Sequence, residues 1–242
     1  MPVNTHAGEP HRPPFDAEAA RRLREALGMT PAHVAYGIGA AFGMRVAPGT
    51  VAAWERGESR PTEAELTALA GALWCAPGEL IGTPGTLREY RLALGLAPAD
   101  LALRTGMEPR AYERLEAGGT WRGTDRQAAA LAEVLRLPLP ALLRFTGRDE
   151  ALAGLLTSAA TTRWQACVRP VGKLVPLPRQ RLQDVLRDLH STYQTLMAGT
   201  LQWGGGGGAE ESGKAGRAFL AGIVAEFWAR AGEPDTESGR RP

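Results

Sequence analysis

Two short helical stretches meet at a glycine between Pro98 and Gly118, and this junction constrains the chain more than any other part of its 242 residues. The run Glu108-Pro109-Arg110-Ala111-Tyr112-Glu113-Arg114-Leu115-Glu116-Ala117-Gly118 opens with a proline suited to the first helical position, where its fixed φ helps and its missing N–H costs nothing. Tyr112 and Leu115, spaced i and i+3, share one face, while Arg110, Glu113 and Arg114 point away from it. Gly118 closes the run with a residue free to take a positive φ. Upstream, Pro98-Ala99-Asp100-Leu101-Ala102-Leu103-Arg104-Thr105 reads as another short helix, closed by Gly106 and joined to the next through a tight turn around Met107. Two short helices meeting this way make a helix-turn-helix.

An earlier segment follows the same plan. A helix starts after the N-cap residue Asp16 and runs to Gly28, with Ala19, Leu23 and Leu27 as its apolar stripe. Thr30-Pro31 opens a second helix through Val34 and Ile38, and Ala47-Pro48 opens a third, in which Val51, Trp54, Glu55 and Gly57 correspond to Tyr112, Leu115, Glu116 and Gly118. Thr62-Glu63-Ala64-Glu65 and Thr124-Asp125-Arg126-Gln127 are capping boxes, each opening an apolar helix. Proline-led helical turns follow at 76–81 and 139–143. The chain thus predicts a tandem repeat of five-helix domains over residues 15–83 and 84–147, and, with no sustained strand alternation, an all-α protein.

Through Leu101-Ala102, Gly106-Met107, Tyr112, Leu115, Glu116 and Gly118 the second segment resembles the lambda-repressor-like, Xre-type helix-turn-helix. The resemblance covers somewhat more than half of the chain. It implies a bacterial-type transcription regulator in the cytoplasm, associated with the nucleoid, whose partner is double-stranded DNA. It also implies that Arg110 and Arg114 face bases in the major groove, with Glu113 and Arg104 on neighbouring outward positions and Arg122, in the loop Gly119–Gly123, near a phosphate. Arginine suits that place, because its planar fork matches the O6/N7 edge of guanine, worth roughly 1–3 kcal/mol of discrimination. The residues alone leave open that both arginines are solvated or pair with Glu113 and Glu116 on an ordinary surface helix. Trp121 in the same loop is expected to pack inward.

The first copy departs from the family. Thr30 to Glu55 spans 25 positions against 19 from Ala97 to Glu116, so six extra residues lie between its second and third helices. Its groove-facing positions are Pro48, Gly49 and Ala53, which offer no side-chain donor; Arg45, Thr50, Arg56 and Arg60 lie near enough for phosphate or a thymine methyl. Pro31 and Pro98 stand where the family commonly places a glutamine that contacts DNA. Residues 15–82 hold six basic and eight acidic residues, residues 83–150 ten and nine, so the second copy is the better reader and the first is either an auxiliary contact or a docking module. The formal net charge of +2 says nothing by itself about nucleic acid.

Residues 148–231 continue as helices whose apolar stripes exceed what two small domains need, with Pro170 as an expected kink and the glycine run 204–208 as a linker. The stripes can pack on themselves, on the repeat, or on a second chain, the last making a homodimer with two reading helices. Six basic residues, among them Arg169, Lys173 and Arg179, face two acidic ones between 151 and 200, as a phosphate contact or a solvated face. Residues 1–14 and 232–242 read as disordered tails, with no signal peptide, and no apolar run is long enough to span a membrane.

Catalytic chemistry has no foothold in this pattern. Cys75 and Cys167 are far apart, and His6, His11, His33 and His190 have no metal-ligand spacing, so no metal, cofactor or enzymatic activity is expected. Gly208-Ala209-Glu210-Glu211-Ser212-Gly213-Lys214 fits G-x-x-x-x-G-K, but Ala215 replaces the magnesium-holding hydroxyl and no strand precedes it. Two other functions stay open: an adaptor that docks a regulator or the transcription machinery, and a sensor with a pocket among Trp164, Tyr193 and Trp203.

Overall fold

A computed structural model describes residues 11–198 and 208–232. Fourteen α-helices and one 3-10 turn make up the regular structure among the described residues, and no strand occurs among them beyond an isolated bridge between Phe15 and Ile81. The chain divides into two compact units, Met1–Gly119 and Thr120–Pro242, so the division falls inside the second repeat expected at residues 84–147.

The first unit holds α1 (Ala17–Ala26), α2 (Pro31–Phe42), α3 (Pro48–Glu55), α4 (Glu63–Ala72), a 3-10 turn (Pro77–Glu79), α5 (Leu87–Ala93), α6 (Pro98–Thr105) and α7 (Pro109–Glu116). Proline occupies the first turn of α2, α3, α6 and α7. Thr62 and Glu65 exchange the reciprocal bonds of a capping box at α4, and Thr86 and Glu89 do the same at α5. Val34, Ile38, Val51, Trp54 and Leu69 fill one core, and Leu66, Ile81 and Leu92 form a second cluster that joins α4 to α5. Residues 11–14, assigned to the tail from the sequence, lie against this unit: Pro13 is buried and the Glu63 amide donates to the His11 carbonyl at 3.2 Å. The six-residue insertion is shared between helix and turn. α2 has 12 residues against 8 in α6, and five residues separate α2 from α3 where three separate α6 from α7.

A largely buried ion pair recurs in this unit. Arg24 at the end of α1 grips Glu55 at the end of α3 through two bonds of 2.7 and 2.8 Å, and its remaining nitrogen donates to the Met29 carbonyl at 2.8 Å. Arg91 in α5 holds Glu116 at the end of α7, closest at 2.6 Å, and donates to the Leu96 carbonyl at 2.7 Å. The Glu55 hydrogen bond lifts the Arg24 pKa, with burial working against it. At Arg91 burial opposes the charge, and the bonds to Glu116 and then Glu63 outweigh it, so its pKa rises. Glu63 of α4 also accepts from Arg88 at 2.7 Å, so one carboxylate ties α4 to α5.

The second unit holds α8 (Asp125–Leu135), α9 (Leu139–Phe145), α10 (Asp149–Thr161), α11 (Trp164–Leu174), α12 (Arg179–Ala198), α13 (Gly208–Ala221) and α14 (Ile223–Ala231). Leu152, Leu156, Val171, Leu186, Leu189 and Phe227 are buried together, so the stripes that could have sought a second chain are covered within this one. α12 is the centre of the packing. Its His190 Nδ1 lies 2.9 Å from the Ala160 carbonyl at the end of α10, and its Asp188 accepts from Arg230 of α14 at 2.8 Å. The Arg187 guanidinium sits 5.1 Å from the centre of the Trp164 ring on α11, which continues through Pro170. The apolar residues between Phe219 and Trp228 fall on two helices, α13 and α14, separated at Gly222. Residues 208–214, the G-x-x-x-x-G-K match, belong to α13 and are helical rather than a phosphate-cradling loop. Residues 1–10, 204–207 with Trp203, and 233–242 lie outside the described residues.

Breaking the second ion pair should cost the first unit heavily. Glu116→Ala leaves a buried guanidinium, whose side chain is 6% exposed, without its main partner. The expected loss is about 3 kcal/mol in urea unfolding, whereas Arg91→Met with Glu116→Leu together should cost far less, because no charge is then stranded.

Candidate nucleic-acid interface

The geometry of α6 and α7 follows from a few local choices. In α6, Leu101, Ala102 and Thr105 are buried, and the Thr105 hydroxyl satisfies itself on the Leu101 carbonyl at 2.8 Å. The helix stops at Gly106, which takes φ +65, and the Met107 amide returns to the Ala102 carbonyl at 2.9 Å, closing the end as a Schellman turn. Glu108 then caps α7, its carboxylate accepting from the Ala111 amide at 2.9 Å, with Pro109 at the first position.

The two faces of α7 separate cleanly. Tyr112 and Leu115 are buried, and Glu116 is drawn inward by Arg91. Burial pushes the Tyr112 phenol pKa up, and the Glu116 carboxylate adds to the effect. Arg110, Glu113 and Arg114 are exposed, as is Arg104 on α6. Neither Arg110 nor Arg114 forms an ion pair with Glu113 or Glu116, and the carboxylate of Glu116 is committed to Arg91. Both arginines are exposed and stand one helical turn apart on α7, a spacing from which two guanidinium forks could each meet a base edge or phosphate. Arg122 belongs to the second unit and is also exposed; Trp121 is half-buried, its ring lying against Gly123.

The corresponding surface of the first copy is chemically different. Pro48 and Gly49 on α3 are exposed and Ala53 is half-buried, so the helix presents hydrocarbon and backbone. Arg45 is exposed in the turn before α3, and Thr50 is half-buried. Arg56 is exposed but gripped by Glu58 through bonds of 2.6 and 2.8 Å, which raise its pKa and lower that of Glu58. The Arg60 side chain is exposed, and its carbonyl accepts from the Arg12 guanidinium. The structure thus keeps Arg45 and Arg60 open and occupies Arg56.

Sequence reasoning missed the arginines that set the orientation of these helices. Their signal is present as Arg24-Glu25-Ala26-Leu27-Gly28-Met29-Thr30-Pro31 and Arg91-Leu92-Ala93-Leu94-Gly95-Leu96-Ala97-Pro98, a shared R-x-A-L-G-x-x-P pattern. Gly28 and Gly95 adopt φ values of +63 and +64, so each turn delivers the next carbonyl to the arginine. No group of histidine, cysteine, aspartate and glutamate among the described residues is arranged to hold a metal ion, and no helix among them is long and apolar enough to cross a membrane.

A methyl group added at Gly106 would meet nothing within 4 Å, so its substitution reports backbone strain without a clash. Gly106→Ala is expected to lower stability by about 1–2 kcal/mol, the cost of a left-handed backbone at a residue with a Cβ, read as a shifted urea midpoint with unchanged helical circular dichroism. Comparison with known proteins finds no family model that matches the chain, and no similar curated protein or solved structure.

Proposed function

We propose that the chain is a DNA-binding transcription regulator built on two lambda-repressor-like helix-turn-helix domains, in which α7 lies in a major groove and reads bases through Arg110 and Arg114. The observation that carries this reading is the pair of exposed guanidiniums, without a carboxylate partner among the described residues, on a helix whose opposite face is held by Tyr112, Leu115 and Glu116. Rigid presentation matters, because on a helix already fixed by its fold only the arginine side chains, and not the backbone that carries them, must be ordered on binding. The first copy supplies positioning rather than reading, through Arg45, Thr50 and Arg60, since a phosphate contact needs only a cation or hydroxyl within reach. Arg104 and Glu113, with Arg122 in the loop that follows α7 in sequence, complete the proposed contact set.

A protein-docking role is the second reading, and one observation favours it. Tyr36 on α2 and Trp74 after α4 are 78% and 88% exposed, in the copy whose positions Pro48, Gly49 and Ala53 offer no side-chain donor. Aromatic side chains left in water are typical anchors of protein interfaces.

In vitro selection with the full chain decides between the two. A defined site should emerge, and Arg110→Ala and Arg114→Ala should each weaken binding roughly tenfold to a hundredfold and relax preference at a guanine. Affinity should also fall steeply as salt rises, in proportion to the phosphates neutralised. No selected site, or two variants that bind with unchanged affinity and base preference, overturns the regulator; partners retained from nuclease-treated lysate would then favour docking.

A further inference from the structure

The second unit contains a concave site whose chemistry the DNA-reading proposal leaves unused. Between the second half of α11 and the start of α12 lies a groove of about 670 Å³. Arg169 and Lys173, one turn apart on α11, and Arg179, the first residue of α12, converge on it from two helices. Val168, Leu177 and Leu182 form its apolar floor. Gly172 keeps the groove open, since a Cβ there would come within 3.3 Å of Leu182. No carboxylate among the described residues lines it: Asp184 is engaged by Arg187 and Asp188 by Arg230. None of the three cations forms an ion pair with another described residue.

We infer that this groove binds a small organic anion, a carboxylate, sulfonate or phosphate carried on an apolar body. Three converging cations without counter-charges repel one another and are stabilised by an anion among them. The first amides of α12 add to this, because a helix N-terminus carries partial positive charge and donors without helical acceptors. The size lies within the range of small-molecule pockets, and the combination of an apolar floor with a few cations at the rim fixes both ends of such a ligand. Duplex DNA fits less well, since its phosphates meet cations on open surfaces and have no use for an apolar floor. The site is independent of α7, so either proposal can fail alone.

The probe is 8-anilinonaphthalene-1-sulfonate, an anion on an aromatic body, titrated into the full chain without DNA and followed by its fluorescence. Saturable binding of one probe per chain is expected. Arg169→Gln, Lys173→Gln and Arg179→Gln combined should weaken it by roughly tenfold or more, with Lys173→Gln alone giving a smaller loss. All three side chains are exposed, so the fold should survive, as circular dichroism will report. Removing two exposed cations elsewhere in the same unit, Arg126→Gln with Arg217→Gln, should change nothing. Failure of the wild-type chain to bind, or equal binding by the combined variant, overturns the inference. A combined variant weakened toward a selected DNA but not toward the probe overturns it as well, and assigns the cations to duplex phosphate.

Discussion

A guanidinium held between a carboxylate and a backbone carbonyl, used twice, is the constraint on which the first unit depends. Arg24 and Arg91 each reach from the end of one helix to the end of the helix two further along, and each closes on the carbonyl five residues ahead of itself. Such a pair adds little net stability, because desolvating two charges consumes most of what their attraction returns. What it does contribute is register. Glu116 can meet Arg91 only if Tyr112 and Leu115 are inside, and that rotation leaves Arg110 and Arg114 outside. The same logic applied to Glu55 turns Val51 and Trp54 inward and leaves Pro48 and Gly49 at the surface.

The two segments that share this Arg–Glu pair present two different surfaces. The first copy absorbs its insertion without moving the ion pair: the Arg–Glu separation grows from 25 to 31 residues, and the extra six lie in α2 and the following turn. Its exposed α3 positions Pro48 and Gly49 carry no side-chain donor, and its Arg56 is paired with Glu58. In the second segment the positions matching Gly49 and Ala53 carry guanidiniums, at Arg110 and Arg114, and the carboxylate of Glu116 is held by Arg91. The second unit solves a separate problem, burying the stripes of α10 to α14 around α12, with His190 at the end of α10 and Arg230 linking α14 to Asp188.

Helix positions were legible because their signals are local. Proline at the first turn, threonine capping boxes at Thr62 and Thr124, and glycine at 28, 106 and 118 each act within four residues, through φ preferences and short-range hydrogen bonds. The all-α class follows from the same signals. Partners at long range were not legible in this way. Glu116 read as an option for Arg110 or Arg114, and only the fold shows it 25 residues away on Arg91; Glu58 on Arg56 lay close in sequence and was overlooked. The G-x-x-x-x-G-K match at residues 208–214 was a short pattern without its context: a phosphate loop requires a preceding strand, none occurs among the described residues, and the segment is helical.

The amino-acid order by itself determined that the chain is helical, where most helices start and stop, and which residues form each apolar stripe, because periodicity and capping depend only on neighbours along the backbone. Only the tertiary structure decided which cations are engaged and which are open, and that the C-terminal stripes cover one another. It also brought Arg169, Lys173 and Arg179 around one groove. Those outcomes depend on distances between residues tens of positions apart, and a charge acquires its role from the partner that packing places beside it.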